Sequence, residues 1–150
     1  MSNPNALCFD TTIMVRDTCL CLHLQRAARA VARRFDEALR PLGLTSGQFS
    51  LLMSLNRPEP PTIGHVADVL AMDRTTLTAN LKPLVRRGLV EIRVDEADRR
   101  GRRLVLTAAG RSLLAEALPI WQHEHADIDR AIRGADPDRL RNELRALSAG

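Results

Sequence analysis

The chain has 150 residues, of which 45% are hydrophobic and 27% are charged. These values suit one folded domain with a buried core and exclude a disordered or collagen-like chain. Arginine and lysine total 22 against 18 acidic residues, and Lys82 is the sole lysine. Tyrosine is absent and aromatic residues make up 3%. This composition argues against proteins that stack single-stranded bases on aromatic side chains.

Export and membrane signals are missing from the sequence. No apolar stretch approaches the roughly 20 residues that a membrane-spanning helix needs. Residues 1–15 lack a basic start followed by an apolar run. We therefore expect a cytoplasmic protein with no membrane partner. Cys8, Cys19 and Cys21 are an odd number of cysteines, which predicts no internal disulfide framework.

The first half of the chain is predicted to be helical after a short arm. Residues 1–15 show no clear period and are predicted to be a loose arm. Apolar residues recur at helical spacing over 16–42, which predicts one long amphipathic helix. Thr45 and Gln48 form a capping-box pattern, which predicts a second helix over 46–57.

The middle of the chain is predicted to hold two further helices and a hairpin. Thr62 caps a short helix, and Asp73 caps a helix over 74–87 that ends at Gly88. Alternation then predicts strands over 89–94 and 102–106, with Val90, Ile92 and Val94 on one face. The two strands are joined by a polar loop.

Two more helices are predicted at the end of the chain. Thr107 caps the first, which contains Pro119 and stops at Gly134, and Asp136 caps the second. The resulting fold class is mainly α with a small β-hairpin wing (α+β), a winged helix-turn-helix. We expect a single domain, 1–150, in which 45–107 form the DNA-binding lobe. The outer helices, 1–44 and 108–150, are expected to form a dimerisation region, because their apolar faces exceed what one copy can bury.

The positive charge is concentrated in the middle of the chain. Residues 73–111 hold ten cations and five anions, so this segment carries +5 and the remainder −1. Such a concentration is typical of a phosphate-binding surface, and a solvated charged face is the alternative. On the helix over 74–87, Leu77, Leu81, Leu84 and Val85 are predicted to face inward.

The outward face of the same helix suits double-stranded DNA. Arginine can reach guanine edges, threonine can contact a thymine methyl group or a phosphate, and more distant cations suit phosphates. The candidate contacts on this helix are Arg74, Thr75, Thr76, Thr78, Lys82 and Arg86. On the hairpin, Arg99, Arg100 and Arg102 suit a narrow minor groove. Asp98 is expected to orient a guanidinium through a bidentate pair. A salt-bridge cluster without DNA contact is the alternative.

Four pieces of this sequence carry a family resemblance. They are residues 73–78, residues 84–90, residues 98–100, and Leu106-Thr107 followed by Gly110. With these pieces the chain resembles the MarR (multiple-antibiotic-resistance regulator) transcription factors over about residues 16–148. The resemblance implies a homodimer that binds a pseudo-palindromic operator, with Arg100 in the minor groove. It also implies a repressor released by a small aromatic ligand, or by oxidation.

The resemblance draws attention to Cys21. This residue falls where the peroxide-sensing branch of the family carries its reactive cysteine. That branch bonds the thiolate with tyrosines, whereas Gln25 and Phe35 stand at those positions here. Arg16 or His23 would have to lower the thiol pKa. A buried, unreactive residue is the favoured interpretation, and a thiol-based organic-peroxide-responsive repressor is the alternative function.

Three further residues invite a ligand or metal interpretation. Trp121 either lines a pocket for an aromatic effector or belongs to the dimer core, and the core is slightly favoured. His123 and His125 lie about 200° apart on a helix, unlike a chelating i, i+4 pair. We therefore expect solvated histidines, no metal and no cofactor.

No catalytic motif of a hydrolase, nucleotide-binding enzyme or metalloprotease is found, so an enzyme is not predicted.

Overall fold

The computed structural model describes residues 7–132 and 134–149. Within them a β-hairpin lies between the fifth and sixth helices, and a 3₁₀ turn, Arg40–Leu42, follows the second. The elements are α1 (Phe9–Thr18), α2 (Leu20–Leu39), α3 (Ser46–Ser54), α4 (Ile63–Val69), α5 (Arg74–Arg86), β1 (Val90–Val94), β2 (Arg102–Leu106), α6 (Ala108–Ala131) and α7 (Pro137–Ser148). This order confirms the predicted mainly α fold with a β-hairpin wing.

The predicted loose arm is wrong for the part that the structure describes. Residues 1–6 lie outside the described residues, but Phe9–Thr18 forms α1. Asp10 in the first turn and Arg16 in the last turn complement the helix dipole. The residues of α1 show no clear apolar periodicity. The spacing of apolar residues therefore does not predict this helix.

The predicted single helix over 16–42 is divided at its start. Cys19 has an extended backbone with ψ of 106°, so α1 ends at Thr18 and α2 begins at Leu20. The Thr18 hydroxyl donates to the Met14 carbonyl at 2.7 Å. Hydrogen bonds of this kind from threonine bend helices, which explains why the chain changes direction here.

Side-chain caps determine where the middle helices begin. Thr45 and Gln48 form the predicted capping box of α3, with both of its hydrogen bonds present. Thr62, Asp73 and Thr107 each accept a hydrogen bond from a backbone amide in the first turn of α4, α5 and α6. These predicted caps are confirmed, and each satisfies an amide that has no partner within its helix.

Helix ends follow backbone constraints that the sequence shows only in part. α3 was predicted over 46–57 but ends at Ser54. Pro58 disfavours helical geometry at the residue before it, and the Asn56 amide closes a tighter turn onto the Met53 carbonyl at 3.1 Å. The predicted stop at Gly88 is confirmed, because its φ of 72° lies in the left-handed region.

The core is a leucine-rich layer shared by the helices and the base of the hairpin. Its most deeply buried side chains are Leu39, Leu51, Leu52, Leu77, Leu81, Leu84, Leu104, Val66 and Val90. Val85 was predicted to face this core but is 38% exposed. The helical period places it beyond the face that Leu77, Leu81 and Leu84 share.

The hairpin has the predicted alternation but not the predicted burial. Val90 pairs with Leu106 and Ile92 with Leu104 in an antiparallel register. Ile92 and Val94 lie on the predicted face, yet they are 44% and 52% exposed. Only the base of the hairpin packs into the core, so the outer part projects from the helices as a wing.

The first part of α6 belongs to the core, through Leu114 and Ala117, whereas α7 has no buried residue among those described. α6 runs through Pro119 without interruption and packs against α2 and α3. Asp136 caps α7 as predicted, accepting the Asp138 amide at 2.9 Å. Across the described ranges, no helix has the length and apolar content to cross a membrane.

A large apolar surface is exposed on these outer helices. On α7, Leu140, Leu144 and Leu147 are 36%, 37% and 58% exposed. They face a cavity of about 610 Å³ between α2, α6 and α7, whose α2 side includes Leu24 and Val31. Burial of this surface would add considerably to stability, since buried apolar area contributes roughly 25 cal/mol per Å².

Gly110 allows α6 to begin directly against the hairpin. A Cβ at this position would lie 2.4 Å from the Leu89 carbonyl oxygen and 2.6 Å from Leu106 Cδ1. We therefore expect Gly110→Ala to lower the free energy of unfolding by about 2–3 kcal/mol, as measured by urea denaturation. Gly47→Ala is the control, because its nearest neighbour would lie at 4.0 Å. Equal stability of the two variants would contradict this close approach.

Candidate nucleic-acid interface

The basic parts of α5 and the wing border one groove. The groove has a volume of about 510 Å³. Residues from α4 and α5 form one wall and residues from the wing form the other. The lining residues described below are Gly64, Arg74, Thr78, Asp98, Arg100 and Arg102. The tertiary structure thus joins the two segments in which the sequence concentrates positive charge.

The side chain of Arg74, the first residue of α5, lies against Gly64 of α4 at the edge of this groove. A Cβ on Gly64 would be 2.8 Å from Arg74 Nη2, so the glycine leaves room for the guanidinium. A second depression, of about 370 Å³, follows the outer face of α5. It is lined by Arg74, Thr75, Thr78, Ala79 and Lys82. Arg86 continues this exposed face toward the end of the helix.

Two of the three candidate threonines on α5 already use their hydroxyl hydrogens. Thr76 Oγ1 donates to Asp73 Oδ2 at 2.8 Å, and the Thr76 amide donates to Asp73 Oδ1 at 2.8 Å. These two hydrogen bonds lower the pKa of Asp73, and the bond from the Thr76 amide has the larger effect. Thr78 Oγ1 donates to the Arg74 carbonyl at 2.8 Å. Thr76 and Thr78 therefore retain a methyl group and acceptor lone pairs for contacts.

The three wing arginines differ in how firmly they are held. Arg102 Nη1 donates to the carbonyls of Arg99 and Gly101 at 3.2 and 3.1 Å. Arg99 and Arg100 are exposed. Their guanidinium groups form no hydrogen bond or ion pair with the residues that the structure describes. These two side chains can therefore reach outward from the tip of the wing.

The predicted bidentate pair between Asp98 and a wing guanidinium is wrong. Asp98 Oδ1 instead accepts the backbone amide of Arg100 at 3.0 Å. Within residues 7–132 and 134–149, the Asp98 carboxylate forms no ion pair. A short aspartate side chain readily bonds the backbone two residues on. Asp98 therefore shapes the turn and leaves the Arg100 guanidinium available.

Asp95 anchors the wing, although the sequence analysis did not single it out. Its Oδ1 accepts Arg103 Nε at 3.2 Å and the Ala97 amide at 3.1 Å. Arg103 Nη1 also donates to the Pro60 carbonyl at 2.7 Å. Asp95 is only 7% exposed, and the bond from Arg103 is the main cause of its lowered pKa. The bond from Arg103 to the Pro60 carbonyl ties the hairpin to the loop before α4, and these two residues are far apart in sequence.

Cys21 is exposed, which contradicts the prediction that it is buried. Few residues pack over the first turn of α2, where the neighbouring Leu20 is also 56% exposed. Gln25 Nε2 donates to Cys21 Sγ at 3.4 Å. Gln25 therefore contacts the sulfur at a position where the resemblance described above implied a tyrosine.

All three cysteine thiols are free, as predicted. The Thr11 hydroxyl lies 3.3 Å from Cys8 Sγ and lowers the pKa of this exposed thiol. The two residues suggested as activators of Cys21 are engaged elsewhere. Arg16 pairs with the adjacent aspartate at 2.7 Å, and His23 Nδ1 lies 2.7 Å from the carbonyl one turn earlier.

Trp121 packs in an aromatic cluster that joins α2, α3 and α6. Its ring centroid lies 6.3 Å from Phe35, 5.9 Å from Phe49 and 4.6 Å from His125. This packing favours the interpretation of Trp121 as a core residue. His123 is solvated, but the prediction is wrong for His125, whose side chain is 31% exposed. The residues that the structure describes contain no group of three metal-ligating side chains.

The lowered pKa of Asp95 makes the stability of the wing depend on pH. Above the unfolded value of about 3.9, the full contribution of the Arg103 bond is present. This contribution is lost as the pH falls through the lower folded pKa. We expect Asp95→Asn to reduce the free energy of unfolding at neutral pH and this deficit to shrink in acid, as measured by urea denaturation across a pH series. The exposed Glu96→Gln serves as control, and a deficit for Asp95→Asn that is independent of pH would contradict the ionic origin.

Comparisons with known proteins connect this geometry to characterised folds. Residues 42–101 match the profile described as the MarR family. M. tuberculosis MosR, a transcriptional regulator in complex with DNA, is 39% identical, with a TM-score of 0.79 over 87% of this chain and 94% of that chain. BpsR of Bordetella bronchiseptica, whose DNA binding is regulated by 6-hydroxynicotinic acid, is 25% identical, with a TM-score of 0.75 over 87% and 94%.

A curated relative gives the same assignment over a shorter span. YwoH of Bacillus subtilis, an HTH-type transcriptional regulator, is 34% identical over 84 residues, which are 56% of this chain and 61% of that protein. The match to this relative therefore spans about three fifths of its length. These three proteins are named for DNA regulation rather than for catalysis. On the breadth of the match to MosR, together with the winged helix-turn-helix, the chain belongs to the MarR family of transcriptional regulators.

Proposed function

We propose that the protein is a homodimeric, sequence-specific repressor that binds a pseudo-palindromic operator in double-stranded DNA. The observation that carries this proposal is the groove in which Arg74 of α5 meets Arg100 and Arg102 of the wing. A duplex supplies the matching negative charge, and release of its counterions favours binding. The similarity to MosR, a regulator in complex with DNA, supports the same function. A protein that binds the chromosome would act in the cytoplasm.

We assign the two basic elements to different grooves of the DNA. Near the amino-terminal end of α5 most side chains are short and several carry hydroxyl groups. This end of the helix can therefore approach base edges in the major groove. Its contacts are proposed to be Arg74, Thr75, Thr76, Thr78, Lys82 and Arg86. The exposed Arg99 and Arg100 suit the minor groove, where negative potential is strongest in narrow segments. Arg102 supports the tip and Asp98 shapes it.

The outer helices are proposed to form the dimer. This region comprises 1–44 and 108–150, and 45–107 form the DNA-binding lobe. The exposed leucines of α7 and the apolar cavity beside α2 and α6 offer a surface that a second copy can bury. A two-fold dimer matches a pseudo-palindromic operator, because its recognition helices meet half-sites about 34 Å apart.

A small aromatic acid is the proposed signal that releases the protein from DNA. BpsR, whose DNA binding is regulated by 6-hydroxynicotinic acid, supports this class of effector. The rings of Phe35, Phe49 and His125 already pack against Trp121. Little space is therefore left beside Trp121 for an aromatic effector. A cavity of about 320 Å³ between α3, β2 and α6 offers apolar walls and the Arg111 guanidinium. Arg111 Nη1 lies 3.4 Å from Asn56 Oδ1, a long contact that a carboxylate can replace.

A thiol switch at Cys21 is the second candidate for the signal. The exposure of Cys21 favours this alternative, since an organic hydroperoxide can reach the sulfur. The thiolate would take one oxygen atom to become a sulfenic acid, and the hydroperoxide would leave as its alcohol. The same repressor could then respond to oxidation rather than to an aromatic acid.

DNA recognition can be tested with duplexes selected from random sequence. We expect Arg100→Ala to weaken binding to every duplex by about tenfold. Arg74→Ala and Thr78→Ala should instead reduce discrimination between selected and unrelated duplexes by about 1–3 kcal/mol. Fluorescence anisotropy at several salt concentrations measures both effects. Arg40→Ala, which loses an exposed ion pair on another face, is the control. If the wild-type protein selects no sequence, the proposed function is refuted.

The two candidate signals can be separated on the protein–DNA complex. We expect 6-hydroxynicotinic acid or related aromatic acids to release DNA from the wild-type protein and from Cys21→Ser alike. Organic hydroperoxide should release DNA only if oxidation is the signal, and then Cys21→Ser should be resistant. The fraction bound, measured by gel shift, decides between them. Cys8→Ser is the matched control, since Cys8 is also exposed. Release of Cys21→Ser by hydroperoxide would eliminate the thiol switch at this residue.

A further inference from the structure

The end of α5 is joined to the end of α2 by one side chain. Arg87, the residue that follows α5, points its guanidinium at the 3₁₀ turn after α2. Its Nη1 donates to the Gly43 carbonyl at 2.7 Å, and its Nη2 donates to the Leu42 carbonyl at 3.2 Å. In the sequence, Arg87 is one of the ten cations of residues 73–111. The structure gives it an intramolecular partner.

The geometry of this contact suits arginine specifically. The two nitrogens of one planar guanidinium meet two successive carbonyls, and a lysine can place its charge on only one of them. The carbonyls lie at the negative end of a helical segment. Gly43 turns the chain there with φ of 64°, and a Cβ at this position would lie 3.5 Å from Arg87 Nη2. The Arg87 guanidinium therefore lies within van der Waals range of the Gly43 turn.

Arg87 connects two parts that otherwise pack mainly with other elements. α5 packs chiefly against α4 and β1, whereas α2 packs chiefly against α6 and α3. The contact is exposed to solvent, where such bonds contribute little to stability. The bond therefore adds little to the folding of the lobe, and what it does is to join these two helical regions. The neighbouring Arg86 is exposed as well, but it lies on the face proposed to meet phosphate.

We propose that Arg87 is a positioning residue that sets the orientation of α5 relative to α2, and through it the spacing of DNA half-sites that the dimer accepts. This inference rests on the proposed function, because α2 belongs to the proposed dimerisation region. In a dimer, two copies of α2 share one interface, so a fixed angle to α5 fixes the distance between the two recognition helices. One inserted base pair moves a half-site by about 3.4 Å and turns it by about 35°.

The test uses full-length protein and a duplex of about 30 base pairs that the wild type selects from random sequence, long enough for two half-sites. Versions with one base pair inserted or deleted between the half-sites complete the set. We expect Arg87→Met to weaken binding to the selected duplex on the order of tenfold and to weaken binding to the altered duplexes less. Discrimination between spacings should therefore shrink, with an unchanged dependence of affinity on salt. Arg87→Lys should restore part of the discrimination.

Arg86→Met is the matched control at the adjacent position. It should flatten the dependence on salt, because a phosphate contact is lost, and keep the discrimination between spacings. If Arg87→Met lowers all affinities equally, or flattens the dependence on salt as Arg86→Met does, the positioning role is overturned. If Arg87→Met does not fold, Arg87→Lys carries the same comparison. Failure of the wild type to select any duplex would overturn the proposed function itself, and this inference with it.

Discussion

The structure depends on one constraint, the burial of a single leucine face of α5. Leu77, Leu81 and Leu84 are almost fully inaccessible and hold the helix against α4 and the hairpin. Because a helix has 3.6 residues per turn, burial of this face forces the opposite one into solvent. Thr75 and Lys82 lie on that exposed face. The same core therefore stabilises the lobe and presents its basic surface.

The polar network around this core divides the charged residues into two groups. Some side chains hold the backbone in place. Asp73 caps α5, Asp95 and Arg103 anchor the wing, and Asp98 shapes its tip. Others, such as Arg100, extend outward. Exposed cations on a hydrogen-bonded support suit recognition of a defined groove, since loosely held contacts give affinity without register.

The cavity proposed for the effector and the surface proposed for DNA are lined by different residues. α6 closely approaches the base of the hairpin at Gly110 and packs against α2 and α3, which offers a route by which the proposed effector would act on the lobe. Asp36 of α2 accepts the Ser46 amide at 2.6 Å, and Arg87 ties the end of α5 to the turn that follows α2. Under the proposed function, an effector would act by favouring one relative orientation of these helices over another.

The sequence by itself determined the features that depend on neighbouring residues. The caps at Thr45 and Asp73, the leucine face of α5 and the concentration of charge all follow from local spacing, which fixes geometry over one or two turns. Only the tertiary structure decided which distant groups meet. The exposure of Cys21, the bond from Arg103 to the Pro60 carbonyl, and the bonds from Arg87 to the turn after α2 depend on distances between segments remote in sequence. Packing sets those distances, and periodicity carries no information about them.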